Sequence, residues 1–331
     1  MHAAWFESFG SAEDVLQLGD LETPTAGAGE VLVRMRTSGV NPSDVKKRAG
    51  SFPNLLDSGF VIPNSDGAGV IEAIGEGVDS SRIGERVWLY QAQFERRFGT
   101  AAEYVAIDSN RAPKLPDHVS FEVGACLGIP VMTAHRAVFA DGDVSGQIIL
   151  VTGGAGRVGH YAIQWASQAG ATVIATASND EDKTACLDAG AHHVVNHRSD
   201  SVVAEILVAS GGELVDRVVD VEFGANLPIS IEVLKVGGVI ATYSSTQIPE
   251  PKIPFFRMMY KDLTMRSIIV YAMPETAKTR AIDDIDKALR NDALQHRIAE
   301  SVPLNEIARA NEIIEAGNIR GAVVLTIDQA N

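Results

Sequence analysis

The chain has 331 residues, 46% of them hydrophobic and 21% charged, so a globular protein with more than one hydrophobic core, and hence two domains, is expected. The formal net charge of −15 argues against a nucleic-acid or anionic-membrane surface, except as a local patch. No signal-peptide pattern opens the sequence and no run reaches the roughly 18 apolar residues of a membrane span, so we expect a cytoplasmic location.

Residues 1–120 predict a partly antiparallel β domain. Short segments in this region alternate apolar and polar residues, as strands with one buried face do, and turn signals such as Asn41-Pro42 separate them. The predicted strands cover residues 31–37, 69–75, 86–90 and 102–107.

Residues 121–273 predict a second domain, in which helices alternate with β-branched strands. An apolar run that begins at Ile148 and the segments 172–176, 216–221, 237–243 and 267–271 are predicted strands of a doubly wound parallel sheet of the Rossmann type. The remainder, 274–331, contains a predicted helix over 282–294 and a final strand over 322–327. We predict that this remainder folds back onto the first domain.

A glycine-rich segment follows the first strand of the predicted Rossmann sheet. Gly154, Gly156 and Gly159 have the G-x-G-x-x-G spacing, and the next residues have the apolar spacing of a helix that ends at Gly170. A strand, a glycine turn and a helix in this order hold a dinucleotide pyrophosphate at the helix N-terminus, where N–H groups and the helix dipole attract anions. The alternative is a glycine turn that only lets the helix and the strand pack closely. We favour the cofactor site, with the contacts Gly154, Ala155, Gly156, Arg157, Val158 and Gly159.

The end of the second strand indicates which dinucleotide binds. An NAD site usually has Asp or Glu there for the ribose 2′-hydroxyl, but this strand runs through residues 176–178 with no carboxylate before Asp180. The acidic run 180–182 weakens this inference, unless it is only the first turn of a helix. We therefore favour NADPH over NADH. The predicted contacts of the 2′-phosphate are Ser178, Lys183, His197 and Arg198.

Five ordered segments carry a family resemblance over nearly the whole chain. They are residues 39–44, 67–75, 128–136, 153–159 and 196–198. The sequence resembles the zinc-free quinone oxidoreductases of the medium-chain dehydrogenase/reductase superfamily, the family that includes zeta-crystallin. The resemblance implies an α/β protein with a GroES-like β-rich catalytic domain over 1–120 and 274–331 and a Rossmann NADPH-binding domain over 121–273. It also implies NADPH as the hydride donor and a homodimer or homotetramer.

The same resemblance predicts that no metal is bound. Zinc-dependent members of the superfamily hold zinc with cysteine and histidine, and aligning the motifs places Asn41, Ser65 and Ile129 at the three usual ligand positions. None of these side chains is a good zinc ligand. Without a Lewis acid the substrate must itself be electrophilic, which selects quinones or alkenes conjugated to a carbonyl as hydride acceptors.

The resemblance also assigns residues to the substrate. Asn41 and Asp44 border the implied active-site cleft, where Asn41 would donate to the developing oxyanion and Asp44 or a water would relay a proton. Their alternative roles are a plain turn at Asn41-Pro42 and a helix start at Asp44. Lys46 and Phe52 stand in the substrate cleft where several members have tyrosines, so the range of acceptors is open. A lysine there either favours an anionic acceptor or is a solvated surface residue.

The remaining predicted cofactor contacts lie at strand ends. By resemblance, Thr133 lies beside the nicotinamide, and the loops after two later strands complete the pocket unless they are ordinary strand ends. The loop residues are Tyr243, Ser244, Ser245, Tyr271, Ala272 and Met273. An apolar group between these loops, which we favour as core or subunit contact over lining of the substrate cleft, comprises Phe255, Phe256, Met258, Met259 and Tyr260.

These inferences predict an NADPH-dependent quinone reductase that transfers a hydride to a quinone or another conjugated carbonyl acceptor without zinc. The nearest enzymatic alternative is an NADPH-dependent enone or enal reductase, which reduces the carbon–carbon double bond. An alternative of another class is a non-catalytic NADPH-binding protein with a structural or RNA-binding role. The acidic balance argues against RNA, although Lys46, Lys47 and Arg48 form a local basic run.

Overall fold

The computed structural model describes residues 1–327, which fold into two compact units. Unit 1 combines Met1–Ile129 with the chain from Ile282 onward, and unit 2 is the continuous segment Pro130–Ala281. The last four residues of the predicted segment 274–331 lie outside the described residues. No helix in residues 1–327 is both long enough and apolar enough to cross a membrane.

Strands and α-helices are numbered in chain order. The strands are β1 His2–Trp5, β2 Gln17–Asp20, β3 Glu30–Val40, β4 Asp66–Ile74, β5 Arg86–Leu89, β6 Tyr104–Asp108, β7 Ile148–Val151, β8 Thr172–Ala177, β9 His193–Asn196, β10 Val215–Asp220, β11 Leu234–Thr242, β12 Thr264–Ser267, β13 Ile298–Pro303 and β14 Ala322–Thr326. The helices are α1 Ala12–Val15, α2 Pro42–Arg48, α3 Phe121–Gly124, α4 Met132–Phe139, α5 Arg157–Gln168, α6 Asp180–Asp188, α7 Val202–Ala209, α8 Phe223–Val233, α9 Phe255–Met259, α10 Glu275–Arg290 and α11 Ile307–Ala316. Short 3-10 turns lie at Ser80–Arg82, Ser109–Arg111, Val270–Ala272 and Leu304–Glu306, and a π-helical turn spans Leu127–Val131.

A mostly antiparallel sheet forms the centre of unit 1. Its strand order is β13-β14-β3-β4-β5, and β6 pairs with the first half of β3. The final strand β14 pairs antiparallel with the second half of β3, with Val323 opposite Val40. Alternate residues of β3, Val31, Val33 and Met35, are buried in the apolar core, as expected for a strand that turns one face inward. The prediction of a β-rich, partly antiparallel fold is confirmed.

Six parallel strands form the sheet of unit 2. Their order is β12-β11-β10-β7-β8-β9, which is the 3-2-1-4-5-6 order of the doubly wound nucleotide-binding fold. The helices α5 to α8 connect successive strands from β7 to β11. Ile149, Leu150 and Val151 of the central strand β7 are all buried, as in strands that have helices on both faces. The predicted Rossmann sheet is therefore confirmed.

Two predicted elements differ from the observed ones. The run predicted as a strand over 267–271 contains only the end of β12, and a 3-10 turn follows at Val270–Ala272. Val270 and Tyr271 are buried in that turn, and a short buried apolar run has the same composition in a strand and in a turn. The helix predicted over 282–294 begins earlier, at Glu275 directly after Pro274, because its first turn is polar and gives no apolar signal.

Candidate functional site

The glycine-rich loop joins the end of β7 to the start of α5 in unit 2. The N–H groups of Gly153 and Gly154 donate to the hydroxyl and the carbonyl oxygen of Thr176, at 2.9 and 3.0 Å, and tie the loop to β8. Gly153 has a φ of +61°, a conformation that favours glycine. Gly156 is the N-cap of α5 and has no side chain to cap the helix, so the helix N-terminus presents backbone N–H groups to an anion.

Close packing requires two of the motif glycines. A Cβ on Gly154 would lie 2.8 Å from Sγ of Cys186 and 2.9 Å from Cβ of Ala175 on β8. A Cβ on Gly159 would lie 2.4 Å from the carbonyl oxygen of Gly153. The glycines therefore do allow the helix and the strand to pack closely, which was the alternative to a cofactor site. This close packing also brings the N-terminus of α5 to the sheet edge where doubly wound folds hold a pyrophosphate, so the two roles are compatible.

Of the residues predicted to contact a 2′-phosphate, Ser178, His197 and Arg198 follow the carboxyl ends of β8 and β9, and Lys183 lies in the helix α6. Ala177 pairs with Asn196, and the N–H of His197 donates to the Ala177 carbonyl at 3.3 Å. Ser178 and His197 therefore follow adjacent strand ends. Ser178 is half-buried, and the exposed members of the set are Lys183, His197 and Arg198.

The acidic run after β8 forms the first turn of α6. Asn179 caps this helix by accepting the N–H of Asp182 at 2.8 Å, and its amide donates to the Asp182 carboxylate at 2.9 Å. Asp182 is buried, whereas Asp180 and Glu181 are exposed. The run therefore has the role of a helix start, and β8 itself ends at Ala177 without a carboxylate.

The loops after β10 and β11 are fixed by side chains of the predicted pocket. Ser245 Oγ accepts the N–H of Gly224 at 2.9 Å and donates to the carbonyl of Ile248 at 2.6 Å, so its hydroxyl holds the loop. Asp220, which was absent from the predicted site, accepts from Oγ1 of Thr152 at 2.8 Å. Of the other predicted contacts, Tyr243 and Ser244 are half-buried, Ala272 is exposed, and the buried ones are Thr133, Tyr271 and Met273.

A second group of predicted residues lies in unit 1, at the start of α2. Asn41 is the N-cap of this helix, Pro42 follows it, and Asp44 forms a capping box with Asn41. Oδ2 of Asp44 accepts the backbone N–H of Asn41 at 2.9 Å. Both side chains are buried. The capping box shows that they start the helix, which was the alternative to a role at the substrate.

Asp66, at the start of β4, is the partner of the Asn41 amide. Its Oδ2 accepts Nδ2 of Asn41 at 2.9 Å and the backbone N–H of Ile129 at 2.8 Å. Ile129 belongs to the π-helical turn, in which Pro130 has no N–H to donate. Gly128 in the same turn leaves room for the carboxyl group, since a Cβ there would lie 2.0 Å from Oδ1 of Asp66.

Lys47 is buried beside these two carboxyl groups. Its Nζ donates to the carbonyl oxygen of Gln93 at 2.7 Å and to Oγ of Ser65 at 3.3 Å. Burial raises the pKa of Asp44 and raises the pKa of Asp66 well above its ordinary value. Burial also lowers the pKa of Lys47 to about 8, although both carboxylates oppose this shift. The buried polar cluster is the name used below for Asn41, Asp44, Lys47, Ser65 and Asp66.

The buried polar cluster does not fit a catalytic zinc. At the three positions where zinc-dependent members hold ligands, Asn41 donates to Asp66, Ser65 accepts from a lysine ammonium, and Ile129 contributes only a backbone N–H. An ammonium 3.3 Å from Oγ of Ser65 also repels a metal cation. In the part of the chain that the structure describes, no three His, Cys, Asp or Glu side chains are grouped to hold a metal ion.

Lys47 and Asp66 were missing from the predicted site. The sequence left open a local basic patch over Lys46, Lys47 and Arg48, and the structure buries two of these three residues. The guanidinium of Arg48 is buried against the Gly10 carbonyl and the Glu315 carboxylate, and only Lys46 is exposed. The sequence signal for Asp66 was a carboxyl group directly before the uncharged run 67–71, because an acid at the start of a strand that becomes buried needs a partner.

The other predicted substrate contacts are on the surface. Lys46 and Phe52 are exposed on unit 1. In the apolar group of unit 2, Phe255, Phe256 and Tyr260 are 63%, 64% and 76% exposed, so they do not belong to the core of the unit, and their role as a subunit contact stays a prediction. Met258, in the same short helix, is partly buried and packs against the apolar core of unit 2.

Comparison with known proteins identifies the family. Residues 27–117 match the alcohol dehydrogenase GroES-like domain, and residues 158–287 match the zinc-binding dehydrogenase family. The quinone oxidoreductase of Rattus norvegicus is 28% identical over 332 residues, which cover 99% of this chain and 98% of the relative. That of Mus musculus is 32% identical over 241 residues, 72% of this chain and 71% of the relative. A mycobacterial structure complexed with NADPH has a TM-score of 0.87 at 28% identity and covers 98% of this chain and 100% of its own.

A GroES-like β-rich unit and a doubly wound nucleotide-binding unit together define a medium-chain dehydrogenase/reductase, as the sequence motifs predicted. Within that superfamily, the chain belongs to the quinone oxidoreductase family, which is the family of zeta-crystallin. It is therefore an oxidoreductase that uses a nicotinamide cofactor and a small-molecule substrate.

Proposed function

We propose that this protein is an NADPH-dependent quinone reductase that acts in the cytoplasm. It reduces a quinone or another acceptor in which a carbonyl is conjugated to a double bond. The observation that carries this proposal is the composition of the buried polar cluster, which offers an amide, a hydroxyl and an ammonium in place of a metal-ligand set. Such a site suits an acceptor that spreads the incoming negative charge onto its own oxygen.

NADPH is the proposed cofactor, and it supplies a hydride from its nicotinamide ring when bound. The loop 154–159 and the first turn of α5 would hold the pyrophosphate, and Thr133 would lie beside the nicotinamide. Support for NADPH over NADH comes from the carboxyl edge of β8, which has no strand-end carboxylate. Asp182, the buried acid of the next turn, is bonded to Asn179. Ser178, Lys183, His197 and Arg198 are the proposed partners of the 2′-phosphate.

Asn41 is the proposed hydrogen-bond donor to the acceptor oxygen. A side-chain amide has two N–H groups: one donates to Asp66, and the amide also interacts with the Asp44 carboxyl group, so we assign to the acceptor the N–H on the Asp44 side. Because Asp66 also holds the Ile129 N–H, the amide is fixed before the acceptor binds, and it need not reorganise as charge develops. Asp44 or a water would relay the proton that the reduced acceptor takes up.

Lys46 and Phe52 are proposed contacts of the acceptor in the substrate cleft. Both are exposed, so an aromatic acceptor can lie against the Phe52 ring without burial of further protein groups. The ammonium of Lys46 would favour an acceptor that carries a negative charge. A neutral residue in place of Lys46 would remove this preference for a negative charge and would therefore broaden the range of acceptors.

A homodimer, or a homotetramer built from it, is the proposed assembly. Among the strands of residues 1–327, β12 pairs only with β11 and has no partner on its other edge, and Met265 on this strand is exposed. The exposed aromatic residues of α9 precede this strand in the chain. An open strand edge with large exposed apolar side chains in the same region is typical of a subunit interface.

NADPH consumption by the purified protein tests the activity. We expect oxidation of NADPH with 1,4-benzoquinone, and a panel of enals and enones separates this activity from the alternative double-bond reductase. Simple alcohols such as 2-propanol should be oxidised poorly with NADP, because the cluster has no metal-ligand set for stabilising an alkoxide. No consumption with any acceptor would contradict the proposal and favour a non-catalytic NADPH-binding protein. An RNA-binding role has less support now that Lys47 and Arg48 are buried.

A further inference from the structure

Three ionisable side chains of the buried polar cluster lie together inside unit 1. Asp44, Lys47 and Asp66 are 2%, 4% and 0% exposed. Asp44 and Lys47 are on α2, and Asp66 comes from β4. Buried charges persist only where counter-charges and hydrogen bonds replace water, so the charges of these three groups depend on one another.

In each of the two carboxyl groups, one oxygen accepts hydrogen bonds and the other has no partner among the described residues. Oδ2 of Asp66 accepts two N–H groups, Oδ2 of Asp44 accepts the backbone N–H of Asn41, and the side chains of Asn41 and Ser65 also donate to the Asp44 carboxyl group. Oδ1 of Asp44 and Oδ1 of Asp66 are buried with no hydrogen-bond partner among the described residues. Two full carboxylates would leave two unpaired charged oxygens for one ammonium. The arrangement suits one carboxylate, one neutral acid and the Lys47 ammonium.

Few other charged groups act on this trio. The Lys47 ammonium is attracted by Asp44 on its own helix and by Asp66 from the sheet. Cys126 is a neutral thiol, because burial, with Asp66 and Glu122, raises its pKa. The neighbouring Arg48 is engaged with the Gly10 carbonyl and the Glu315 carboxylate. Lys47 is therefore the cation that balances the carboxylate beside Asn41.

We propose that Lys47 is a positioning residue for Asn41, and that its ammonium provides the fixed positive charge which zinc-dependent members of the superfamily obtain from their metal. The inference rests on the proposed role of Asn41 in reducing the acceptor. The ammonium keeps Asp44 ionised, and the Asp44 carboxylate holds the backbone N–H of Asn41. When the ammonium is lost, by substitution or by deprotonation, the buried Asp44 carboxylate is left without its counter-charge and holds Asn41 less firmly.

Two substitutions at Lys47 and one matched control test this role. Lys47→Met removes the charge and keeps the length, Lys47→Arg keeps the charge, and Lys114→Met changes an exposed lysine of the same unit. Lys47→Met should lower kcat/KM for 1,4-benzoquinone roughly tenfold or more, while the Kd for NADPH stays unchanged because the nucleotide loop is in unit 2. Lys114→Met should change neither value.

The pH profile gives a readout that a merely structural role would not move. In the wild-type protein, kcat/KM should fall above about pH 8, as Lys47 loses its proton. In Lys47→Arg this alkaline decline should be absent, because the guanidinium stays charged. Full activity of Lys47→Met with the wild-type profile, or an unchanged alkaline decline in Lys47→Arg, would overturn the proposal.

A titration of the wild-type protein, followed by NMR, tests the role of Lys47 without an activity assay. It therefore separates this inference from the proposed function, and it does not depend on whether a variant folds. NMR of the wild-type protein with labelled lysine and asparagine side chains should show Lys47 and the Asn41 amide changing with one shared midpoint near pH 8. Different midpoints would overturn the positioning role. A shared midpoint in a protein that reduces no acceptor would overturn the proposed function and support the coupling of Lys47 to Asn41.

Discussion

Gly128 lies directly against the carboxyl group of Asp66, so close that a Cβ on Gly128 would be 2.0 Å from Oδ1. The next residue, Ile129, donates its N–H to the other oxygen, Oδ2, at 2.8 Å. The π-helical turn and the carboxyl group therefore fit each other on two sides. Because Asp66 also accepts the Asn41 amide, the shape of this turn sets where that amide lies.

Gly128→Ala should destabilise the protein. The added methyl group overlaps with Asp66, and overpacking of this kind costs about 1–3 kcal/mol. The free energy of unfolding in urea measures the effect. Gly27→Ala is the matched control, because a Cβ there meets only the flexible Glu30 side chain. Equal stability of Gly128→Ala and the wild-type protein would show that Asp66 moves aside without cost.

Lys183→Ala should weaken the binding of NADPH and leave the binding of NADH unchanged. Loss of one charge-assisted contact to the 2′-phosphate should cost about 1.5–3 kcal/mol. Titration calorimetry with both nucleotides measures the difference, and Lys252→Ala, at another exposed lysine of unit 2, is the control. Wild-type protein that binds NADH as tightly as NADPH would rule out the assignment of NADPH.

Asn41→Ala should lower kcat/KM for the acceptor on the order of a hundredfold, as expected when a donor to developing oxyanion charge is removed. The Kd for NADPH should stay close to the wild-type value, because Asn41 is in unit 1. Steady-state kinetics and nucleotide titration provide the two values. Asn291→Ala, which removes an exposed amide of unit 1, should change neither. An equal loss of acceptor turnover and NADPH affinity would argue against the proposed role of Asn41.

Activity should survive exhaustive chelation. The side chains at the three aligned ligand positions do not form a zinc site, and the Lys47 ammonium opposes a cation beside Ser65. Dialysis against a chelator followed by the quinone assay tests this expectation, and elemental analysis should find no stoichiometric zinc. Loss of turnover that added zinc restores would show that the metal-free mechanism is wrong.

Phe256→Asp should dissociate the proposed homo-oligomer into monomers. The residue is 64% exposed, and a buried unpaired carboxylate at a subunit interface strongly disfavours association. Sedimentation velocity over a range of concentrations measures the assembly state. Val208→Asp is the control, because Val208 on α7 is another strongly exposed apolar residue of unit 2. Monomeric wild-type protein, or an unchanged assembly in Phe256→Asp, would contradict the proposed interface.

The nucleotide-binding fold was predictable because its signals are local. The glycines 154, 156 and 159 lie within one loop and the first turn of α5, and the preceding central strand β7 is a continuous apolar run. A short window of sequence therefore contains the information for the strand, the turn and the helix. The contacts of individual residues with the cofactor stay predictions, since they depend on side chains at separate strand ends.

The buried polar cluster was only half predictable because its partners are distant in sequence. Asn41 and Asp44 gave a local helix-start signal, but Asp66 meets Ile129 across 63 positions of the chain. Lys47 lies in a basic run, and besides Asp44 its partners are Asp66 and the Gln93 carbonyl, which local sequence does not place beside it. The 3-10 turn after β12 was missed for a related reason. Whether its apolar residues form a strand depends on a neighbour in the fold, not on their own composition.

Unit 1 is assembled from two separated parts of the chain. Strand β14 pairs with β3, and Glu315 of α11 binds Arg48 at the end of α2. During synthesis, residues 130–281 leave the ribosome before α11 and β14 do. Unit 2 can therefore fold while the second half of β3 still lacks its partner β14. The helix that carries Asp44 and Lys47 is therefore among the last parts to gain its full set of contacts. A nascent chain can thus complete its nucleotide-binding fold before the groups that would act on an acceptor have all their contacts.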